Sequence, residues 1–142
     1  MKPETRAERQ TRYAAKDVTE KLGIKPGCAV RVVGKGDGEL LNKARVKSGR
    51  AFVRANSLAD VVLFFPKRAD EIAVTLSELK TRIEPNGGIW VVTAKKNKGE
   101  PYVPDQILIP LGLAAGLVDN KICSVSETRS AMRFVVRRND RK

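Results

Sequence analysis

Two short apolar runs, Asp60 to Phe65 and Ile89 to Ala94, flank one amphipathic stretch, and that arrangement leaves few folds open to the chain. Both runs are rich in Val, Phe or Trp and end at breakers, as strands buried on both faces do. Between them Ile72, Leu76, Leu79 and Ile83 recur with the spacing of a single helical stripe. Glu84-Pro85-Asn86-Gly87-Gly88 predicts the end of that helix in a turn, since Pro cannot continue a helix and Gly tolerates left-handed backbone. A strand, a helix and a strand of these lengths make a βαβ unit. Its crossover is right-handed, so the two strands lie parallel in one sheet.

The flanking segments extend the pattern. Residues 1–10 are polar and charged and read as a mobile basic arm, residues 11–138 as one domain, and residues 139–142 as a basic tail. From Thr11, Ala14, Val18 and Leu22 share a helical face that stops at Gly23. Cys28 to Val33 reads as the first strand, about Glu39 to Lys47 as a helix, and Ala51 to Arg54 as a weak second strand. A helix starting near Pro104 meets Pro110, which predicts a kink or two short pieces. Asn120 to Ser126 and Ala131 to Arg138 are separated by too few residues for a crossover, which predicts an antiparallel hairpin. Helices alternating with strands in this way give a three-layer α/β sandwich, Rossmann-like, with a mostly parallel sheet of about six strands.

With 142 residues, one core is expected. No apolar run reaches the roughly 20 residues of a membrane helix. The start, MKPETRAERQTR, has no apolar centre of the secretory kind, so a cytoplasmic location and no membrane partner are expected. The chain has no His, which excludes Ser-His-Asp and Cys-His chemistry, and its two cysteines, Cys28 and Cys123, read as buried free thiols. A net charge of +12 favours polyanionic partners.

KLGIKPGCAVRVVG with its Gly-rich turn, ADVVLFF, and ELKTRIEPNGGIWVV resemble the core of class I S-adenosylmethionine-dependent methyltransferases. KLGIKPG, ADVVLFF, GGIWVVTAKK and VDNKICSVSET also resemble a bacterial family known as a domain of unknown function, over most of the chain from about Glu20. The likeness implies a small Rossmann-like fold, with strands ordered second, first, third, fourth, sixth, fifth, and S-adenosylmethionine as the possible cofactor. The chain departs from the methyltransferase pattern where Val32 replaces the acidic residue before the glycine loop. Arg54 and Asn56 stand where an acidic residue would hold the ribose, and little chain separates the first strand from Asp60.

The residues themselves nominate one ligand edge. Gly34, Gly36 and Gly38, with Lys35 and Asp37 between them, form a loop entering a helix, where backbone N–H groups can face an anion. A permissive tight turn explains the same glycines equally well. Lys35, Arg54, Lys67 with Arg68, and Lys95 with Lys96 fall at the predicted carboxyl tips of four parallel strands, with Pro66 beside them, near a switch point between the first and third strands. Arg6, Arg9, Arg12, Arg137 and Arg138 form a second basic set suited to nucleic acid. Asp60 is expected to be structural, and no general base or metal site is apparent. The expected function is a noncatalytic binding protein for a phosphate-bearing ligand or nucleic acid; the alternatives are a reduced S-adenosylmethionine-dependent methyltransferase and a protein-interaction subunit without a small ligand.

Overall fold

The structure, a computed structural model, describes residues 17–140. The basic arm with Arg6, Arg9 and Arg12, the helix start at Thr11 and Ala14, and the last two residues lie outside the described residues. In order come α1 (Val18–Lys21), β1 (Val30–Gly34), α2 (Gly38–Ser48), β2 (Ala59–Phe65), α3 (Ile72–Leu79), β3 (Ile83–Ala94), α4 (Asp105–Ala114), β4 (Leu117–Ser124) and β5 (Arg129–Val136). Single 3-10 turns precede and follow α3, at Ala69–Glu71 and Lys80–Arg82.

The sheet runs β1-β2-β3-β5-β4. β1, β2 and β3 are parallel, while β5 is antiparallel to both β3 and β4, so β5 alone opposes the others. Among the described residues the sheet therefore has five strands and is mixed, against the expected six, mostly parallel. Ala51 to Arg54 is not a strand and makes a single backbone bond to β1, Val53 N–H to the Val30 carbonyl at 2.8 Å. The reason is length. Gly27 N–H donates to the Ser48 carbonyl (2.7 Å), so α2 ends where the parallel strands begin. The few residues from Gly49 to Leu58 can only step across into β2. β1 is thus an edge strand, and the expected switch point beside it does not form.

Two further corrections concern Pro and Gly. Glu84 to Gly88 belongs to β3, and the pairing jumps from Ala59↔Ile83 to Val61↔Gly88, so the extra residues make a bulge and not a turn. Gly87 and Gly88 lack left-handed backbone and are glycine for space. A Cβ on Gly87 would lie 3.0 Å from the Ala59 and Asp60 carbonyls, and one on Gly88 would overlap the Arg133 guanidinium. Likewise α4 continues through Pro110 as one helix, although Pro110 has no N–H to offer the Gln106 carbonyl.

Each side of the sheet buries its own core. Val62, Phe64, Ile89, Val91 and Phe134 pack against α3 and α4. Val61, Leu63, Trp90 and Val92 pack beneath α1 and α2. β2 therefore contributes to both sides, as its unbroken apolar run requires. Trp90 is 1% exposed, and its indole N–H donates to the Leu22 carbonyl (2.9 Å), tying the end of α1 to the sheet. Truncating it to Ala would cost about 3–5 kcal/mol. Asp60, expected to be structural, accepts from Ala29 N–H at 2.8 Å. Asp17 caps α1 by accepting from the hydroxyl (2.6 Å) and N–H (2.8 Å) of Thr19. The hydroxyl bond, foremost, holds its carboxyl below the usual range. That contribution is present above the unfolded carboxylate range and vanishes as pH falls through the lowered folded value.

Candidate ligand site at the carboxyl edge of the sheet

Parallel pairing decides which predicted residues meet. Gly34 pairs with Phe65, and Phe64 with Val91, so the chain leaves β1, β2 and β3 at one edge. Gly34 to Gly38, Pro66 to Arg68, and Lys95 with Lys96 gather there. Arg54 does not. It precedes Ala55, whose carbonyl accepts from Arg31 (2.7 Å) and Arg82 (2.7 Å), residues near the starts of β1 and β3, and so it lies at the opposite edge. Arg137 and Arg138 follow the antiparallel β5 and also fall at that opposite edge.

At the glycine loop, Gly34 has φ of +91°. A Cβ there would overlap the Phe65 carbonyl, and one on Gly36 would come within 2.6 Å of the Phe65 ring. The first two glycines therefore make room for Phe65. Gly38 differs, since nothing lies within 4 Å of the place its Cβ would take. Asp37 caps α2 by accepting from Glu39 N–H at 3.2 Å, which occupies one of the amides an anion would need.

At the strand tips one guanidinium is paired with a carboxylate. Arg68 donates to both oxygens of Asp70 (3.0 and 3.2 Å), and Lys67 N–H donates to the Glu71 carboxylate. Asp37 stands beside Lys35, and Glu100 and Asp105 follow Lys95, Lys96 and Lys98. The Arg68–Asp70 pair removes one of the positive charges that this edge could offer a polyphosphate chain. Pro66 is buried at this edge.

The open volume lies farther along the same edge. A cavity of about 390 Å³ sits where β3, β5 and β4 meet the start of α4, walled by Thr93, Lys95, Tyr102, Leu108, Ser130 and Met132 among others. Thr128 and Arg129 of the β4–β5 hairpin hold the cavity's loop in place. Thr128 carbonyl accepts from Lys95 N–H (2.9 Å), Arg129 donates to the Glu100 carbonyl (2.9 Å), and Ala94 N–H donates to the Pro101 carbonyl (2.8 Å). Sequence patterning could not find this cavity, because it forms between segments distant along the chain. Only the Lys95-Lys96 pair hinted at it.

Cys28 and Cys123 are free and half-buried. Burial pushes the Cys123 thiol up, so it stays protonated and is a poor nucleophile at neutral pH. Among the described residues no group of His, Cys, Asp and Glu could hold a metal, and no helix is long and apolar enough to cross a membrane.

No family model and no curated protein matches the chain, so nothing here supports the expected link to the domain of unknown function. Solved structures do match. The magnesium protoporphyrin IX methyltransferase of Synechocystis PCC 6803, solved with bound S-adenosylmethionine, has TM-score 0.61 at 13% identity, covering 90% of this chain and 79% of that one. A TehB-like S-adenosylmethionine-dependent methyltransferase from Corynebacterium glutamicum has TM-score 0.55 at 13% identity, covering 92% and 96%. A third from Aquifex aeolicus has TM-score 0.54 at 15% identity, covering 84% and 88%. At these identities the likeness is one of fold: the chain has the Rossmann-like α/β architecture found in S-adenosylmethionine-dependent methyltransferases.

Proposed function

We propose that the protein is a reduced S-adenosylmethionine-dependent methyltransferase, binding its cofactor weakly at the loop between β1 and α2. The observation that carries this reading is the Gly34-x-Gly36-x-Gly38 loop, which enters an eleven-residue helix at the carboxyl edge of a sheet with methyltransferase-like neighbours. The residues fit one end of the cofactor only. The space over Gly38 and the first amides of α2 suit its carboxylate. Among the described residues its nucleoside end has no strand beyond β1 to lie against, and Arg54 and Asn56 stand where an acidic side chain would hold the ribose diol. When bound, the cofactor would supply an electrophilic methyl group; the chain's own contribution is to anchor and orient it.

A missing charged hydrogen bond is worth about 1.5–3 kcal/mol, which is roughly ten- to a hundredfold in affinity. Calorimetry with S-adenosylmethionine and with its demethylated product should therefore find binding in the range of tens to hundreds of micromolar. No heat from either at millimolar concentration overturns the reading.

A second reading has its own observation. Arg54, Arg82, Arg137 and Arg138 share the opposite edge, a grouping of guanidinium groups that suits a nucleic-acid backbone. A noncatalytic nucleic-acid-binding role predicts filter binding to RNA or DNA that weakens steeply with salt. Salt-insensitive or absent binding removes it.

A further inference from the structure

The cavity under α4 is separate from the glycine loop, and its chemistry is more specific than its size. Thr93 is 4% exposed and lines it, yet among the described residues its hydroxyl has no hydrogen-bond partner. That hydroxyl is not sealed in protein either, since Arg31 Nε is the side-chain polar atom so enclosed among the described residues. It therefore opens into the cavity. Ser130 is the residue opposite Thr93 across β3 and β5, so the two hydroxyl-bearing side chains stand together on one sheet face, and both line the cavity.

A second set of free donors faces the same space. α4 begins at Asp105 with Pro104 as its cap, and Pro104 has no side-chain oxygen to satisfy the first amides. Ile107 and Leu108 N–H donate back to the Pro104 carbonyl (2.9 Å each), which leaves the N–H groups of Asp105 and Gln106 without intrahelical acceptors. Asp105 and Gln106 line the cavity. Lys95 stands at its rim with its ammonium bonded to the Ser124 hydroxyl (2.7 Å), a neutral partner that leaves the charge in place. Lys96 adds one positive charge and Asp105 removes one, so the lining is singly positive. The apolar part of the wall is Val103, Leu108 and Met132, each no more than 5% exposed, with Tyr102 beside them.

We infer that this cavity is a ligand site for a small monocarboxylate with a compact apolar body. The carboxylate matches the Thr93 and Ser130 hydroxyls, the α4 amides and the single net charge. The apolar body matches Val103, Leu108 and Met132. The volume is within the range of small-molecule sites, and the braced loop preforms it. Nothing in this inference depends on S-adenosylmethionine binding.

The test is titration of the full chain, followed by amide NMR, with phenylacetate, 4-methylpentanoate and indole-3-acetate, each beside its neutral amide. The acids should shift the Asp105 and Gln106 resonances and bind about tenfold or more tightly than the amides. Thr93→Val keeps shape and β-branching, and should weaken the best acid about five- to tenfold with the spectrum otherwise intact. Lys95→Gln should weaken it similarly and flatten its salt dependence. Equal binding of acid and amide overturns the inference. So do shifts confined to Gly34 to Gly38, affinity unchanged in a folded Thr93→Val protein, or no binding of any of the three acids at millimolar concentration.

Discussion

Two parts of one edge behave in opposite ways. At the glycine loop, the residues that look most like a ligand motif are close-packed against the protein's own Phe65. Beside β3 and α4, where only a pair of lysines drew notice, donors stand unused around a cavity of about 390 Å³. Glycine in a loop after a strand records that something approaches the backbone closely, without recording whether it is a ligand or a neighbouring side chain. An open site shows itself instead by polar groups left without partners, which needs coordinates to see.

The comparison breaks most sharply at Gly34. Alanine there meets the Phe65 carbonyl and must also hold φ of +91°. Neither demand can be relieved by a rotamer change, so Gly34→Ala should destabilise by about 3 kcal/mol or more in urea unfolding. A loss under about 1 kcal/mol would mean that β1 and β2 are less tightly joined than their pairing implies. Gly36→Ala is next, because its obstacle is the Phe65 ring and not backbone. A cost of about 1–2 kcal/mol is expected, and most of it should disappear in a Phe65→Ala background. That double-mutant cycle separates packing from ligand binding without any ligand present. Additive costs would show that the ring does not set the residue at position 36.

How much of this could be read from the chain depends on the range of the cause. β2 was legible because Val61 to Phe64 must be buried on both sides, and the hairpin because so few residues separate its strands. The order of the observed strands follows the expectation once the absent one is removed. Ala51 to Arg54 misled because Phe52 and Val53 are half-buried by packing near β1 without joining its ladder. Burial alone does not make a strand. Gly87 and Gly88 misled for a related reason, since their purpose is fixed by Ala59, Asp60 and Arg133, which are far away in sequence. Losing the second strand also sent Arg54 to the other edge and dissolved the switch point at which a ligand was expected. The cavity was the least legible feature, as each wall comes from a different element.

Asp37 offers a smaller test of the same loop. Its side chain accepts from Glu39 N–H and starts α2. Asp37→Ala should lower stability by about 1 kcal/mol in thermal unfolding while freeing an amide that an anion can use. If the loop is an anion site, S-adenosylmethionine should bind the variant at least as well as the parent once folding is allowed for. If the carboxylate instead contacts the ligand, affinity should drop.

The smallest effect separates the two halves of the edge most cleanly. Gly38 is the first residue of α2, has no left-handed backbone, and has nothing within 4 Å of the space for a Cβ. With neither packing nor conformation to require glycine, Gly38→Ala should stabilise the protein by about 0.5–1 kcal/mol through the unfolded chain and helix propensity, measurable as a small rise in melting temperature. If the same substitution weakens S-adenosylmethionine binding severalfold and leaves phenylacetate binding unchanged, the space over Gly38 is kept open for a ligand, and the two sites are distinct. A stabilised variant with unaltered cofactor affinity would leave the glycine loop as a turn built around Phe65. The cavity beside α4 would then be the part of the edge where this fold does its binding.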